Sequence, residues 1–355
     1  MEKAVAKSEA RTGAKLADAV SRTHTLIVEP DRSSVRATLF DADQGDRLVK
    51  DLTAVPADGL SARQLLWIDL QSPAESELRS VASALSLPHA SIGGALDGGT
   101  NPVLHDCGDY FWLRAVAVDD EPGTDFQGSV LVLIAAKNIV VSIHEQPIEF
   151  IEQLRNRDSR RSDIGALGAA SFTASLLDWH LSTYFQAVSR FEMEVERLEV
   201  DILSETPREC LGELRALRKA ASRLRRMLAP HRTVFAGLAR PDFRPTEEER
   251  TDSHFLALEQ NYERAMDMVE NARDLVVGSF ELFSSQTALV TNESMRTLTF
   301  ATVVIGMLAV IAGILGMNFE TPFFKAGTVG FAVAAGAMLL LAAAAILIGR
   351  KRDWL

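Results

Sequence analysis

Two uncharged stretches, Thr297 to Phe319 and Ala326 to Gly349, lie near the end of this 355-residue chain with only Glu320–Lys325 between them. At about 1.5 Å of rise per residue, each is long enough to cross the roughly 30 Å hydrocarbon layer of a bilayer as a helix. A linker that short makes the two spans antiparallel neighbours, so the chain enters and leaves on the same face. Charge sets the orientation. Arg296 stands just before the first span and Arg350, Lys351 and Arg352 just after the second, whereas the turn holds one Glu and one Lys. The basic side faces the cytosol. The sequence therefore predicts a multi-pass protein of a bacterial-type inner membrane with both termini and its bulk in the cytosol. Met1 to Arg22 is polar and lacks the apolar stretch of a secretory signal, so residues 1–23 are expected to be a disordered or mobile N-terminus.

The mean hydropathy of the whole chain is barely positive although its last sixty or so residues are very apolar, so the preceding part reads as an ordinary water-soluble body. That body carries most of the net charge of −11, which disfavours nucleic acid as a partner and suits cations. Cys107 and Cys210 lie far apart with no Cys or His at ligand spacing, and read as reduced, packed thiols.

Residues 24–160 read as a cytosolic α/β domain. Short apolar, β-branched runs such as Thr25–Val28, Val130–Ile134 and Ile139–Ile143 predict strands between His24 and Asp41 and between Tyr110 and His144. Pro73–Leu85 and Ile148–Arg155 carry helical spacing. The glycines of Gly93–Gly99 lack the Lys-Ser/Thr of a phosphate loop and read as a turn. Residues 165–240 predict a helix hairpin. Its first arm, from about Ser171 to Leu203, ends acidic (Glu192, Glu194, Glu196, Glu199, Asp201). Its second opens on a capping box of Thr206 and Glu209 with Pro207 in the first helical position, and is basic (Arg215, Arg218, Lys219, Arg223, Arg225, Arg226). Long-range attraction between the arms is expected to hold them partly, although exposed pairs contribute only about 0–1 kcal/mol each.

A second capping box, Thr246 with Glu249 behind Pro245, opens a helix that meets no proline before Pro322. Residues 246–318 thus predict one stalk helix, roughly 110 Å long when carried to that proline, running without a break into the first span. Tyr262, Ala265, Val269, Ala272, Val276, Phe280, Phe283, Thr287 and Val290 form its narrow apolar stripe, the seam of a bundle. Within the span, Asn292, Met295, Thr299, Thr302, Gly306, Ala309, Gly313 and Asn318 recur at spacings of three to five, on one drifting face. Spacing alone fits both a pore lining and close helix packing by small residues; the amide of Asn318 at the mouth of a span tips the balance to a lining. Two spans cannot enclose a water path, so several identical chains are needed, and a ring is their default arrangement.

Gly316-Met317-Asn318 ahead of a short outer turn, Asn292–Arg296 before the span, and the basic tail ending Trp354-Leu355 resemble the CorA superfamily of divalent-cation transporters. So do Trp67–Leu70 with Pro73 and Glu77-Leu78, Asp109-Tyr110, Lys137-Asn138 and Val141–His144 before Pro147. The likeness covers most of the chain after residue 24. It implies a funnel-shaped homopentamer: the α/β domain, the hairpin, the stalk and first span, a periplasmic loop at 319–326 with Glu320, a second span at 327–349 and a cytosolic tail at 350–355. It implies a ring of Asn318 amides, flanked by Gly316 and Met317, that holds a hydrated cation through its water shell. Mg²⁺ is the expected cargo, with Co²⁺ and Ni²⁺ also carried. Departures from the family's pattern matter too. A regulatory metal site of acids falls here on Gly93-Gly94 and Ala257, which have no ligand groups, so that site is expected to be absent unless Asp97, Asp252 or Glu259 forms a displaced one. Gly306 and Ala309 replace a bulky Met and a Thr, widening the middle of the path. Thr321–Lys325 replaces an acidic outer turn.

One competing reading is the superfamily's zinc-transporting branch, thought to be proton-coupled. That branch often lacks the Met-bearing triplet and the following Phe-Glu; the missing regulatory acids favour it, and His89, His105, His144, His180, His231 and His254 are its candidate ligands. Another is a non-conducting membrane scaffold. The sequence holds no zinc-protease helix, no Gly-x-Ser-x-Gly elbow and no phosphate loop, so an enzyme is not expected.

Overall fold

The computed structural model describes residues 34–49, 59–84, 99–119, 123–156, 163–204, 207–243, 249–317 and 327–352. The expectations for residues 1–23, Thr25–Val28, His89, Gly93-Gly94, Asp97, Thr206, Asn318 and Glu320 lie outside them. Two compact units emerge, one of Met1–Ala117, Gly128–His180 and His231–Glu259, the other of Val118–Gln127, Leu181–Pro230 and Gln260–Leu355.

The first unit is built on a seven-stranded sheet of β1 (Val35–Asp41), β2 (Arg47–Val49), β3 (Gln64–Gln71), β4 (Val103–Asp106), β5 (Tyr110–Val118), β6 (Gly128–Ala136) and β7 (Ile139–His144). The strands lie in the order β2-β1-β3-β7-β6-β5-β4, with β3 and β7 parallel. Leu65 to Leu70 of β3 are buried on both faces, as a strand inside a covered sheet must be. Period two then divides its side chains. Leu66, Ile68 and Leu70 join Leu39, Val132, Ile134 and Val141, over which α1 (Glu75–Ala84) lays Val81 and Ala82. Trp67 faces the other way and meets the rings of Phe40 and Phe172 at 6.3 Å each. Phe172 belongs to α3 (Ala169–Ser204), and a second helix, α2 (Glu149–Arg155), follows β7. The expected strands from Tyr110 to His144 are thus β5 to β7, and the helices at Pro73–Leu85 and Ile148–Arg155 are α1 and α2.

Beside Trp67 lies a buried polar cluster. The Asp69 carboxylate accepts the Ser142 hydroxyl at 2.5 Å, has His144 Nε2 at 3.2 Å and faces Arg155 Nε at 3.5 Å. Ser142 in turn accepts the Trp67 indole N–H at 3.0 Å. Taking a carboxylate out of water is costly and its partners offset part of that cost, whereas removing the charged partner leaves an uncompensated charge in a dry interior. His180 and His231 hold the backbone of one residue of β5: His180 Nε2 contacts the Val116 carbonyl at 2.8 Å, and the Val116 N–H donates to His231 Nε2 at 2.9 Å. Burial pushes the His180 pKa down from 6.5 to about 4, so the imidazole stays neutral.

In the second unit, α3 continues to Ser204 and returns as α4 (Pro207–Leu228), which opens on Pro207 as expected. A short α5 (Arg232–Leu238) in the first unit precedes α6 (Glu249–Leu315); α7 (Gly327–Lys351) follows. The hairpin's seam is apolar: Tyr184, Val188, Phe191, Val195 and Ile202 of α3 are buried, as are Leu214, Ala221, Leu224 and Leu228 of α4. An ion pair joining the arms, Arg197 to Glu213 at 2.8 Å, carries the signs opposite to those of its helices. The close contacts between the arms are thus apolar packing and a pair whose signs oppose the gross charge of each arm. On α6 the expected stripe is buried from Tyr262 to Val276, Phe280 and Phe283 are half-buried, and Thr287 and Val290 are exposed. The stripe also takes in Ser279, whose hydroxyl donates to Glu199 at 2.7 Å.

Candidate functional site: a polar face on the long helix

The helix α6 runs for 67 residues, about 100 Å, without interruption. It ends one turn before the expected limit: the Gly316 N–H bonds to the Ala312 carbonyl at 2.9 Å and the Met317 N–H to Ile314 at 3.2 Å, a tightening that closes the last turn. Both α6 and α7 are long and apolar enough to cross a membrane, and their most apolar windows are wholly unburied within one chain. Surface of that kind requires lipid or further copies as its surroundings.

Exposure sorts the first span into two faces. Phe300, Ala301, Val304, Leu308, Ile311 and Leu315 are half-buried, at helical spacing. On α7 the covered positions are Gly330, Ala334, Ala335, Gly336, Met338, Ala342, Ala345 and Gly349, nearly all small and mostly at steps of three or four. Small residues at that spacing let two membrane helices approach closely, and at the C-terminal end of α6 Ala312, Leu315 and Gly316 share a cavity with Gly330, Ala334 and Met338. Met295, Thr299, Thr302, Gly306, Ala309 and Gly313 all lie exposed on the opposite side of α6, as does Asn292. A Cβ added at Gly306 or Gly313 would meet no atom within 4 Å. Inside one chain, therefore, these glycines are not packing contacts, and the face they share is open.

The chemistry of that face suits an ion that keeps its water. Coordinated waters point their hydrogens outward and need acceptors. Thr302 has already given its proton to the Leu298 carbonyl at 2.8 Å, leaving its oxygen lone pairs to the outside. Asn292 adds an amide, and with Met295, Arg296 and Thr299 it lines a hollow at the N-terminal end of the span. Arg350 and Lys351 fall in the last turn of α7, where cations complement the helix dipole, and the backbone N–H of Arg352 closes that helix on Ile348 at 3.1 Å.

Sequence reading stopped this face at Asn292, yet steps of seven carry it further. Met295 and Thr302 are preceded by Glu281, Asp274 and Asp267, and Asn292 and Thr299 by Ser285, Gly278 and Asn271. All six are exposed, away from the buried stripe. A count at 3.5 residues per turn, the period of wound helices, finds them; a count at 3.6 drifts off the line.

Of the regulatory positions, only those on α6 fall among the described residues. Ala257 is exposed on α6 and Glu259 half-buried, and among the described residues no group of three His, Cys, Asp or Glu is placed to hold a metal. His144, His180 and His231 are buried on protein partners, His105 stacks on Trp112 at 4.4 Å, and His254 contacts Ser171 at 3.2 Å.

The profile of the CorA-like Mg²⁺ transporter family matches residues 62–351. The chain belongs to that family. Its family is one of transporters and not of enzymes. It is 28% identical over 232 residues to the cobalt/magnesium transport protein CorA of Thermotoga maritima, an alignment of 65% of this chain and 66% of that one. The CorA magnesium transporter structure from Methanocaldococcus jannaschii superposes with a TM-score of 0.68 at 21% identity, over 91% of this chain and 99% of that chain. The cytoplasmic domain of ZntB from Vibrio parahaemolyticus gives 0.57 at 12% identity over 72% and 99%. At these identities the superpositions speak for the fold: an α/β soluble part, a long helix and two apolar helices at the end.

Proposed function

We propose that this CorA-family chain forms a homopentameric channel for divalent metal cations, Mg²⁺ first and Co²⁺ and Ni²⁺ besides, with both termini cytosolic in an inner membrane. The observation that supports it most is the open polar face from Asn292 to Gly313, set opposite the side that meets α7 and ending at Gly316-Met317. Five copies around an axis turn five such faces inward. The Asn318 amides then form a ring at the outer mouth that accepts hydrogen bonds from a hydrated ion, choosing by size without stripping water. The acids at Glu281, Asp274 and Asp267 continue the path with negative charge toward the cytosol, which favours the cation over any anion. A membrane potential of 100 mV contributes about 4.6 kcal/mol to inward movement of a divalent ion, so no nucleotide site is needed.

Liposome flux measured by stopped flow tests this. The native chain is expected to carry Mg²⁺, Co²⁺ and Ni²⁺, Asn318→Ala to abolish the flux, and internal Mg²⁺ not to close the path, since Ala257 has no ligand atom. Undiminished flux in Asn318→Ala refutes the ring. The zinc reading predicts Zn²⁺ flux that depends on a proton gradient and little Mg²⁺ flux. Ala257 is compatible with it, whereas the buried, protein-bound histidines lend it no support.

A further inference from the structure

We propose that the outward face of α4 is a docking surface for a second copy of this chain, received on the outward face of the neighbour's α3. Arg215, Arg218, Lys219 and Arg226 are exposed, and none is paired with a carboxylate among the described residues. Arg215, Lys219 and Arg226 share the side of α4 directly away from its buried seam, with no acid between them. Like charges three and four residues apart weaken a helix unless something opposes them, and the chain as a whole is strongly acidic, at −11.

The opposing surface is on α3. There Met193 and Val200, seven residues apart, are 59% and 64% exposed, and Leu203 is 59% exposed. Glu196 stands between the first two and Glu192 beside them, and neither is paired among the described residues. That is an apolar ridge edged with carboxylates, the complement of a basic helix face whose long stems can cover apolar surface.

The membrane does not fit as the occupant. Tyr262 of α6 donates to the Ala229 carbonyl at 3.2 Å just past α4, and Arg225 faces Glu270 at 3.7 Å, so α4 runs antiparallel to α6. Arg296, at the base of the span, is then roughly 39 Å beyond the level of Arg225, and Arg215 recovers only about 15 Å of that. The remaining distance is more than twice the roughly 8 Å screening length of physiological salt. Two different, complementary patches on one chain make a head-to-tail contact, the kind that closes into a ring. The inference thus rests on the ring reading and names the contact that closes it.

The test uses the full chain in lipid nanodiscs. Two chains are co-expressed with different tags and Cys107→Ser in both, one carrying Glu196→Cys and the other Lys219→Cys. Oxidation is expected to give a covalent dimer bearing both tags. Reversing Arg215 and Arg226 to Glu in the second chain is expected to lower its yield about tenfold, and Glu192→Lys in the first to restore it. A carbodiimide cross-link mapped on the unsubstituted chain, joining Lys219 to Glu192 or Glu196 between copies, supports the same contact without any substitution. Native mass spectrometry separates the failures. An intact ring with neither cross-link overturns this contact alone; a monomer overturns it together with the ring.

Discussion

The sheet unit and the membrane end of α6 treat apolar surface in opposite ways. In the first, Leu65, Leu66, Trp67 and Ile68 are all 1% exposed or less, and the few buried polar groups hold one another. In the second, Leu289, Leu298, Val303 and Ile305 are all more than half exposed in a single chain. One region has its solvent excluded by its own residues. The other needs lipid or further protein around it, so its stability depends on what surrounds it.

The largest expected break in this comparison is Asp69→Ala. It takes the buried carboxylate away from Ser142 and His144 and leaves Arg155 with Glu152 as its carboxylate partner, at a cost of about 3–5 kcal/mol. The midpoint of denaturant unfolding, followed by tryptophan fluorescence, reads it; a loss under about 1 kcal/mol would show the cluster to be dispensable. Next comes pH. His180 has a folded pKa of about 4 against 6.5 unfolded, so the unfolded chain binds the extra proton first. Stability of the sheet unit is then full above pH 6.5, falls as pH drops from 6.5 to 4, and levels off below, a loss on the order of 3 kcal/mol. His180→Gln should flatten that slope, and an unchanged slope would assign it to other groups. The smallest effect on a single chain is Leu289→Ala. At 57% exposure it should move chain unfolding by no more than about 0.5 kcal/mol while weakening assembly in a mass measurement. An equal loss in both would erase the distinction between the two regions.

Much of this was legible in the chain. The apolar runs of β5 to β7 and the helix start at Pro207 declare themselves locally, because period and turn residues are short-range properties. The four residues of β4, two of them exposed on an edge, and the three of β2 carry too little pattern to read. Trp67–Leu70 entered only through family likeness, since a strand buried on both faces shows no alternation, and Asp69 within it looks like a break until Ser142 and Arg155 are brought beside it. The hairpin's charge was legible but not its adhesion, because composition shows net sign and not which side chains touch. For the site, spacing placed Asn292 to Gly313 on one face. The carboxylates below them were missed because the count stopped where the charges began.

An unbroken rod also has a mechanical meaning. From Tyr262 to Gly313, α6 contains no proline, bulge or unwound turn. Over the roughly 77 Å between those residues, a tilt of about five degrees at the Tyr262 end swings the far end by about 7 Å. In the ring proposed above, that displacement is on the order of the diameter of a hydrated ion, and a slight lean of the shafts would set the bore.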